Sequence, residues 1–183
     1  MILGFIVGGI IILILIIMVG YYNRFVILLN RIDNSLSQIK VQLKRRADLI
    51  PNLIETVKGY AKHEKGVLKE VSDARKALVG AKDIESKVKA NDQLEGVLGR
   101  LFAIAENYPD LKANTNFLEL QKELSSTEDR VAYARQNYND SILGYNNLCL
   151  KFPGNVFASL FGKMRKEYLD ITPAEEKLPK VKF

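Results

Sequence analysis

The sequence predicts an all-α membrane protein, in which an N-terminal transmembrane helix continues into an elongated antiparallel bundle of about four long helices and ends in a short C-terminal helix and tail. Three observations support this prediction. An uncharged run extends from Ile2 to Tyr22. Apolar residues then recur at steps of three and four along most of the remaining chain. No segment shows the alternation of β-branched residues that is typical of a strand.

The uncharged run, within residues 1–22, is expected to be a transmembrane anchor. At 1.5 Å per residue it is about long enough to cross a ~30 Å hydrocarbon core. A secretory signal peptide is the alternative, but the run has no basic n-region, and its end offers a poor small-residue cleavage site. We therefore predict a span, whose representative positions are Ile2, Ile10, Leu15, Met18 and Tyr22.

Charges beside the run predict how the span is oriented. Arg24, Arg31 and Lys40 follow it closely, whereas nothing basic precedes it except the amino group of the chain. By the positive-inside rule, we expect a single-pass protein of the cell membrane with its N-terminus outside and its helical domain in the cytoplasm.

Residues 23–152 are predicted to form the bundle. Its first helix should end near Arg46, and its second should begin at a corner where Asp48 is the N-cap and Pro51 lies in the first turn. The apolar repeat also runs without a break from Leu43 to Ile54, which fits one kinked helix. We favour the corner, because proline disfavours the α conformation at the residue before it.

Two further helices complete the predicted bundle, one over residues 83–107 and a longer one that ends before Phe152-Pro153-Gly154. Short connections between amphipathic helices favour an up-and-down antiparallel arrangement. The long apolar seam could also pair between chains as a coiled coil, so a homo-oligomer stays open.

In such a bundle, the first and third corners share the end that is remote from the membrane. Distinctive residues that an apolar seam does not require converge there, and we interpret them as a candidate partner-binding tip: Arg45, Arg46, Asp48, Pro51, Tyr108, Pro109, Asp110, Asn114 and Asn116. The cations at this corner either pair with Glu106 or Asp110 or are recognised by a partner protein.

Residues 153–183 are predicted to form a short amphipathic segment and an extended tail. The preceding helix would return this segment to the bilayer, and its mixture of apolar and basic residues is typical of an anchor on anionic lipid. The candidate membrane-interface residues are Phe157, Leu160, Phe161, Lys163, Arg165 and Lys166. Alternatively, the segment folds back and caps the bundle.

The sequence offers no catalytic, metal or cofactor-binding pattern. His63-Glu64 begins like a zinc-protease motif, but Val67 stands where a second histidine is needed. The net charge is +6, yet the middle of the chain lacks the basic stripe of a nucleic-acid-binding protein. We therefore expect no enzyme activity, no cofactor, no nucleic-acid partner and no small-molecule substrate.

Four blocks of this sequence resemble the LemA family of bacterial membrane proteins. They are YNRFVILLNRIDNSLSQIKVQLKRRADLIPNLIETVKGYAKHE (Tyr22–Glu64), residues Asp92–Asp140, YNNLCLKFPGN (Tyr145–Asn155) and the terminal PKVKF. Lys182 is a minor departure, since an acidic residue is common there in the family. The resemblance implies one N-terminal span and a long helical domain. It implies no established reaction, although one relative takes part in building magnetosome membranes.

Together these features predict a membrane-anchored helical scaffold or interaction protein of the bacterial cell envelope. Its expected partners are the lipid bilayer and an unidentified membrane or cytoplasmic protein. The alternative is a protein that organises or remodels the membrane through its span and the Phe152–Lys166 segment.

Overall fold

A computed structural model describes residues 1–61 and 63–169, and Lys62 and residues 170–183, which include the predicted tail, lie outside the described part. The described residues form helices and contain no strand, so the all-α prediction is confirmed. The helices are α1 (Ile2–Tyr60), α2 (Lys65–Gly80), α3 (Ile84–Ala105), α4 (Pro109–Lys112), α5 (Thr115–Leu150) and α6 (Gly154–Leu160).

The N-terminal part of α1 is long and apolar enough to cross a membrane, by length and composition. None of the most apolar part of this helix is buried against the rest of the protein. Apolar side chains that face outward on all sides are suited to lipid rather than to water. Of the predicted spanning residues, Ile2, Ile10, Leu15 and Tyr22 are exposed, and Met18 is half-buried.

The predicted corner near Pro51 is wrong, because α1 continues through this proline to Tyr60. Asp48 therefore lies inside a helix and is not an N-cap. A proline inside a helix leaves the carbonyl four residues earlier without its usual N–H donor. Here the Nε of Arg75, from α2, donates to that carbonyl oxygen of Ala47 at 2.8 Å. A side chain from the neighbouring helix thus replaces the missing backbone bond.

The chain divides into two compact units, which we describe separately. The first unit comprises Met1–Ser37 and Arg135–Leu169, and so contains parts of α1 and α5 together with α6. Ser35 and Ser141, one from each long helix, share a buried hydrogen bond of 3.1 Å between their hydroxyl oxygens. The apolar core of this unit consists of Phe25, Ile32, Ile142, Tyr145, Cys149 and Ala158.

The second unit, Gln38–Ala134, is a bundle of four long helices: the rest of α1, α2, α3 and the rest of α5. Cross-helix contacts confirm that neighbours are antiparallel. For α1 and α5, Tyr60 at the end of α1 contacts Asn114, just before α5 begins, and Arg46 contacts Glu128 further along both helices. Leu residues of α3 and α5 fill much of the interior, among them Leu94, Leu98, Leu101 and Leu124.

In the second unit, α1 ends at Tyr60 and α2 begins at Lys65. The side chain of Asp83 caps α3 by accepting a 2.7 Å hydrogen bond from the Ser86 amide. A carboxylate at this position satisfies an amide that has no partner within the helix. Observed α3 and the predicted helix over residues 83–107 agree closely.

Candidate functional site

The predicted membrane-interface segment begins with a tight turn into α6. At Gly154, a Cβ atom would lie only 2.3 Å from the carbonyl oxygen of Leu148. Real Cβ atoms do not approach an oxygen so closely, so only glycine allows the backbone of α6 to lie this near the end of α5. The turn directs α6 back along the first unit.

Aromatic side chains hold this segment against α1. The ring of Phe157 stacks on that of Tyr21 at a centroid distance of 4.6 Å. The ring of Phe161 meets those of Tyr22 and Phe25 edge to face, at 5.4 and 6.3 Å. Aromatic pairs in these geometries contribute attraction beyond the area that they bury. The segment therefore folds back onto α1 where its uncharged run ends, which was one of the two alternatives.

Two asparagines of α5 fasten the chain after α6. Asn146 accepts from the amide of Lys166 at 2.9 Å and donates to the carbonyl of the same residue at 2.9 Å. Asn139 makes the same pair of bonds with Leu169, at 2.9 and 3.0 Å. Each asparagine side chain satisfies one backbone N–H and one backbone C=O that have no helical or strand partner in this non-helical stretch. Lys166 is thus positioned through its backbone, and its side chain stays exposed.

The outward face of the same segment is apolar. Val156 and Leu160, four residues apart on α6, are exposed, and Phe152 and Met164 are 83% and 81% exposed. Four exposed apolar side chains in one short stretch form an apolar patch that is uncommon on surfaces that face water. Lys163 and Arg165 lie beside them in sequence. Apolar side chains flanked by cations are suited to an interface with anionic lipid.

The residues of the predicted partner-binding tip fall into two groups. Arg45, Asp48 and Pro51 are exposed positions along α1, and Arg45 pairs with Glu123 of α5 at 2.9 Å. Asp48 pairs with Lys44 at 2.8 Å. These residues belong to the middle of a helix and not to a corner.

The other group lies where the chain connects α3 to α5. The Tyr108 hydroxyl donates to the Glu64 carboxylate at 2.9 Å, and the Asn114 amide donates to the Tyr60 hydroxyl at 2.9 Å. Pro109 and Asp110 form the first turn of α4, and Asn116 is exposed at the start of α5. Two corners do share one end of this bundle, but the first corner follows Tyr60.

The cations of residues 44–46 do not pair with Glu106 or Asp110, so this alternative for the predicted corner is wrong. Glu106 pairs with Lys112 within its own connection, and the arginines of α1 reach α5 instead. Arg46 is only 1% exposed, with its Nη2 atom 3.6 Å from Glu128 Oε2. A partner protein cannot contact a guanidinium that is buried in this way, so Arg46 belongs to the interior of the bundle.

Carboxyl groups from α3 and α5 surround this buried arginine. Burial, a hydrogen bond to Glu128 and the negative charge of Glu128 raise the pKa of Glu95 to about 7, against the attraction of Arg46. Burial lowers the pKa of Arg46, while Glu128, Glu95 and Asp92 oppose that shift. Glu95 is exposed as a whole residue, so water screens its interactions. The cluster thus holds a carboxyl that titrates near neutral pH.

The apolar repeat contains a signal for this cluster. Arg46 lies three residues after Leu43 and four before Ile50, and both are buried. Asn91 of α3 and Thr127 of α5 occupy equivalent seam positions and are also buried. Polar residues at seam positions mark a polar layer in the core. By contrast, sequence alone gave no signal that Glu95 and Glu128 come together.

The chemistry of the described residues beyond these sites is sparse. Within residues 1–61 and 63–169, no group of three or more His, Cys, Asp and Glu side chains is arranged to hold a metal ion. His63 is exposed, and Cys149 is a buried free thiol.

An N-terminal helix that is long and apolar enough to cross a membrane, and that continues into helical units, is typical of a membrane-associated helical protein. Residues 35–183 match the LemA family, and the chain belongs to that family.

Two named relatives are similar in sequence to this chain. The chain is 28% identical over 179 residues to magnetosome protein MamQ of Magnetospirillum gryphiswaldense, which covers 84% of this chain and 66% of the relative. It is 30% identical over 141 residues to protein LemA of Metamycoplasma hominis, covering 76% of this chain and 64% of that relative. The chain thus spans about two thirds of the length of these relatives.

Proposed function

We propose that this protein is a non-catalytic, membrane-anchored scaffold of the bacterial cell envelope. The span and the Phe152–Lys166 segment would together hold it to the bilayer, while the second unit presents a helical surface to a protein partner. The N-terminus would be outside and the helical domain in the cytoplasm, following the cations after the span.

The observation that carries this proposal is the way the first unit is built at the end of the apolar run. Phe157 and Phe161 pack on Tyr21, Tyr22 and Phe25. This packing turns Leu160 and its apolar neighbours outward, next to basic residues. Tyrosine rings favour headgroup depth in a bilayer. A second attachment at that depth would restrict how the anchored domain tilts, which suits a scaffold better than a simple tether does.

The second unit supports the scaffold role through its surface. Its exposed helix faces carry opposite charges in pairs, such as Arg45 with Glu123 and Arg100 with Glu70. Such faces are suited to water and to a protein partner.

Crosslinking of the full chain in its native membrane tests this proposal. A photo-crosslinking residue placed at exposed Arg45 or Asn116 should trap a discrete protein partner, whereas one placed at buried Leu98 should not. If exposed positions of the second unit trap no protein at all, the scaffold role is wrong.

A membrane-organising role is the second candidate, and the exposed apolar side chains of the C-terminal segment favour it. Wedging Val156 and Leu160 into one leaflet would expand that leaflet and favour curvature. Full-length protein reconstituted in anionic vesicles would then change vesicle diameter or shape in electron micrographs, and Leu160→Glu would abolish the change. Vesicles of unaltered shape at high protein density would exclude this role.

A further inference from the structure

A groove of about 930 Å³ lies in the second unit, between the end of α1 and the length of α2. Its floor is apolar and is formed by Ile54, Ala61 and Leu68. The end of α1 and one face of α2 form its two walls. The groove lies outside the predicted partner-binding tip, since the first corner of the bundle follows Tyr60 and not Arg46.

The walls of this groove are strongly basic. They carry Lys58 from α1 and, at helical spacing along α2, Lys65, Lys69 and Lys76. Asp73 is the acid in this lining, and it pairs with Lys76 at 3.0 Å. Lys58 pairs with Glu55 at 2.7 Å. Among the residues that the structure describes, Lys65 and Lys69 have no acid within ion-pair distance, so their charge is available to a ligand.

The start of α2 adds to this positive charge. A helix N-terminus carries a partial positive charge that acidic residues normally offset. The first turn of α2 contains no acid and begins with Lys65, and the side chain of Glu64 does not cap it. Glu64 instead accepts the hydrogen bond from Tyr108. An anionic ligand beside Lys65 would therefore be attracted by both the lysines and the helix end.

We propose that this groove binds an acidic amphipathic helix of a partner protein, an inference that rests on the scaffold function. Its apolar residues would cover Ile54 and Leu68, and its acids would pair with Lys65 and Lys69, in the manner of other helix-in-groove complexes. From Lys65 to Lys76 the basic wall rises roughly 16 Å, or three helical turns. A lipid headgroup concentrates its charge at one point, whereas acids at steps of three and four along a helix match lysines spread over three turns.

A defined probe tests the proposal with the full chain in nanodiscs of zwitterionic lipid. The probe is a fluorescently labelled 18-residue amphipathic peptide, with leucine on one face and glutamate on its flanks. We expect saturable binding by fluorescence anisotropy, weakened by added salt. The double substitution Lys65→Glu and Lys69→Glu should weaken binding roughly tenfold or more, because it reverses two charges that face the ligand.

A matched control makes the same charge change outside the groove. Lys89→Glu with Lys122→Glu reverses two exposed lysines of α3 and α5 and should leave peptide binding within about twofold. Melting curves of both double variants check folding. If the groove variant melts early, Lys65→Gln with Lys69→Gln is compared with Lys89→Gln and Lys122→Gln instead.

Other results would overturn the proposal. Absence of binding, equal binding to the groove and control variants, or equal binding of a lysine version of the peptide would each do so. Stronger binding to anionic vesicles through the same lysines would assign the groove to lipid, and loss of self-association in the groove variant would assign it to a second copy. None of these results bears on whether exposed positions of the second unit crosslink to a partner, so the scaffold proposal is tested separately.

Discussion

The two units use the same long helices but hold them together by different chemistry. In the first unit, four ring contacts join α1 to α5 or to α6 and the Phe161 that follows it, and a fifth lies between Phe157 and Phe161. Among the described residues of the second unit, ion pairs link charged side chains along the helices and in the connection after α3, and Arg46, Asn91 and Thr127 are buried among leucines.

This difference indicates what each unit requires. Aromatic packing tolerates a neighbouring lipid phase, since rings attract each other without needing water. A buried polar layer instead disfavours alternative registers of the helices, because any shift leaves Arg46 without Glu128. We interpret the first unit as fitted to an interface and the second as fitted to one defined arrangement in water.

The largest effect should come from Phe25→Ala. Phe25 is fully buried in the first unit and contacts the rings of Tyr145 and Phe161. Its truncation should cost about 3–5 kcal/mol. Hydrogen exchange of the full chain in detergent should show faster exchange in residues 135–169, with the second unit unchanged. If hydrogen exchange became equally faster in both units, the aromatic packing around Phe25 would not be specific to the stability of the first unit.

Gly154 and Gly144 of the first unit differ in the space that a Cβ atom would have. Gly154→Ala forces a Cβ into the Leu148 carbonyl and should destabilise α6 by about 1–3 kcal/mol. Gly144→Ala is the matched control, because its Cβ would meet Leu28 at an ordinary 3.8 Å. The control should be neutral or stabilising by about 0.5–1 kcal/mol, since alanine favours a helix. Denaturant unfolding distinguishes them, and equal behaviour of the two variants would contradict the close approach at Gly154.

In the second unit, the bond from Arg75 to the Ala47 carbonyl can be tested by a double-mutant cycle. Arg75→Met should destabilise the protein by about 1–2 kcal/mol, since a charged donor is lost from a carbonyl that Pro51 leaves without its helical partner. Pro51→Ala restores a backbone N–H, so Arg75→Met should cost less in that background. Denaturant titrations of the four proteins measure the coupling. Additive effects would mean that Arg75 does not compensate for the proline.

The smallest predicted effect is a pH dependence of the second unit. The pKa of Glu95 is raised from 4.5 to about 7 in the folded protein, so the folded state holds a proton that the unfolded state releases. This contribution to stability is fully present below pH 4.5 and is lost as the pH rises to about 7. Glu95→Gln should flatten this part of the stability profile in denaturant titrations across that range. An unchanged slope would show that Glu95 does not titrate as described.

Much of the fold follows from local rules that the sequence displays. The uncharged run and the apolar steps of three and four predicted α3, α5 and the N-terminal helix, and the N-cap Asp83 marks the start of α3. These features depend on residues close together in the chain. The corner at Pro51 failed because Arg75, a distant residue, supplies the bond that proline lacks.

The candidate sites were less predictable, because they too depend on contacts between residues that are far apart in the chain. Composition indicates the apolar and basic residues of the C-terminal segment, but the ring contacts with Tyr21 and Tyr22 join parts of the chain that are far apart in sequence. Asn139 and Asn146 fasten backbone groups many residues away. The groove beside α2 depends on where the corner of the bundle falls. Contacts between distant segments carry no periodic signal, so composition alone could not place them.

The most direct test of the central claim measures which exposed apolar residues contact lipid. A bimane label is attached through Leu160→Cys in the first unit or Tyr133→Cys in the second, in full-length protein carrying Cys149→Ala. These native side chains are similarly exposed, at 64% and 71%. In nanodiscs that contain quencher-labelled lipid, we predict strong quenching at position 160 and little at position 133. Equal quenching at the two positions would contradict the claim that the C-terminal segment is a second membrane attachment.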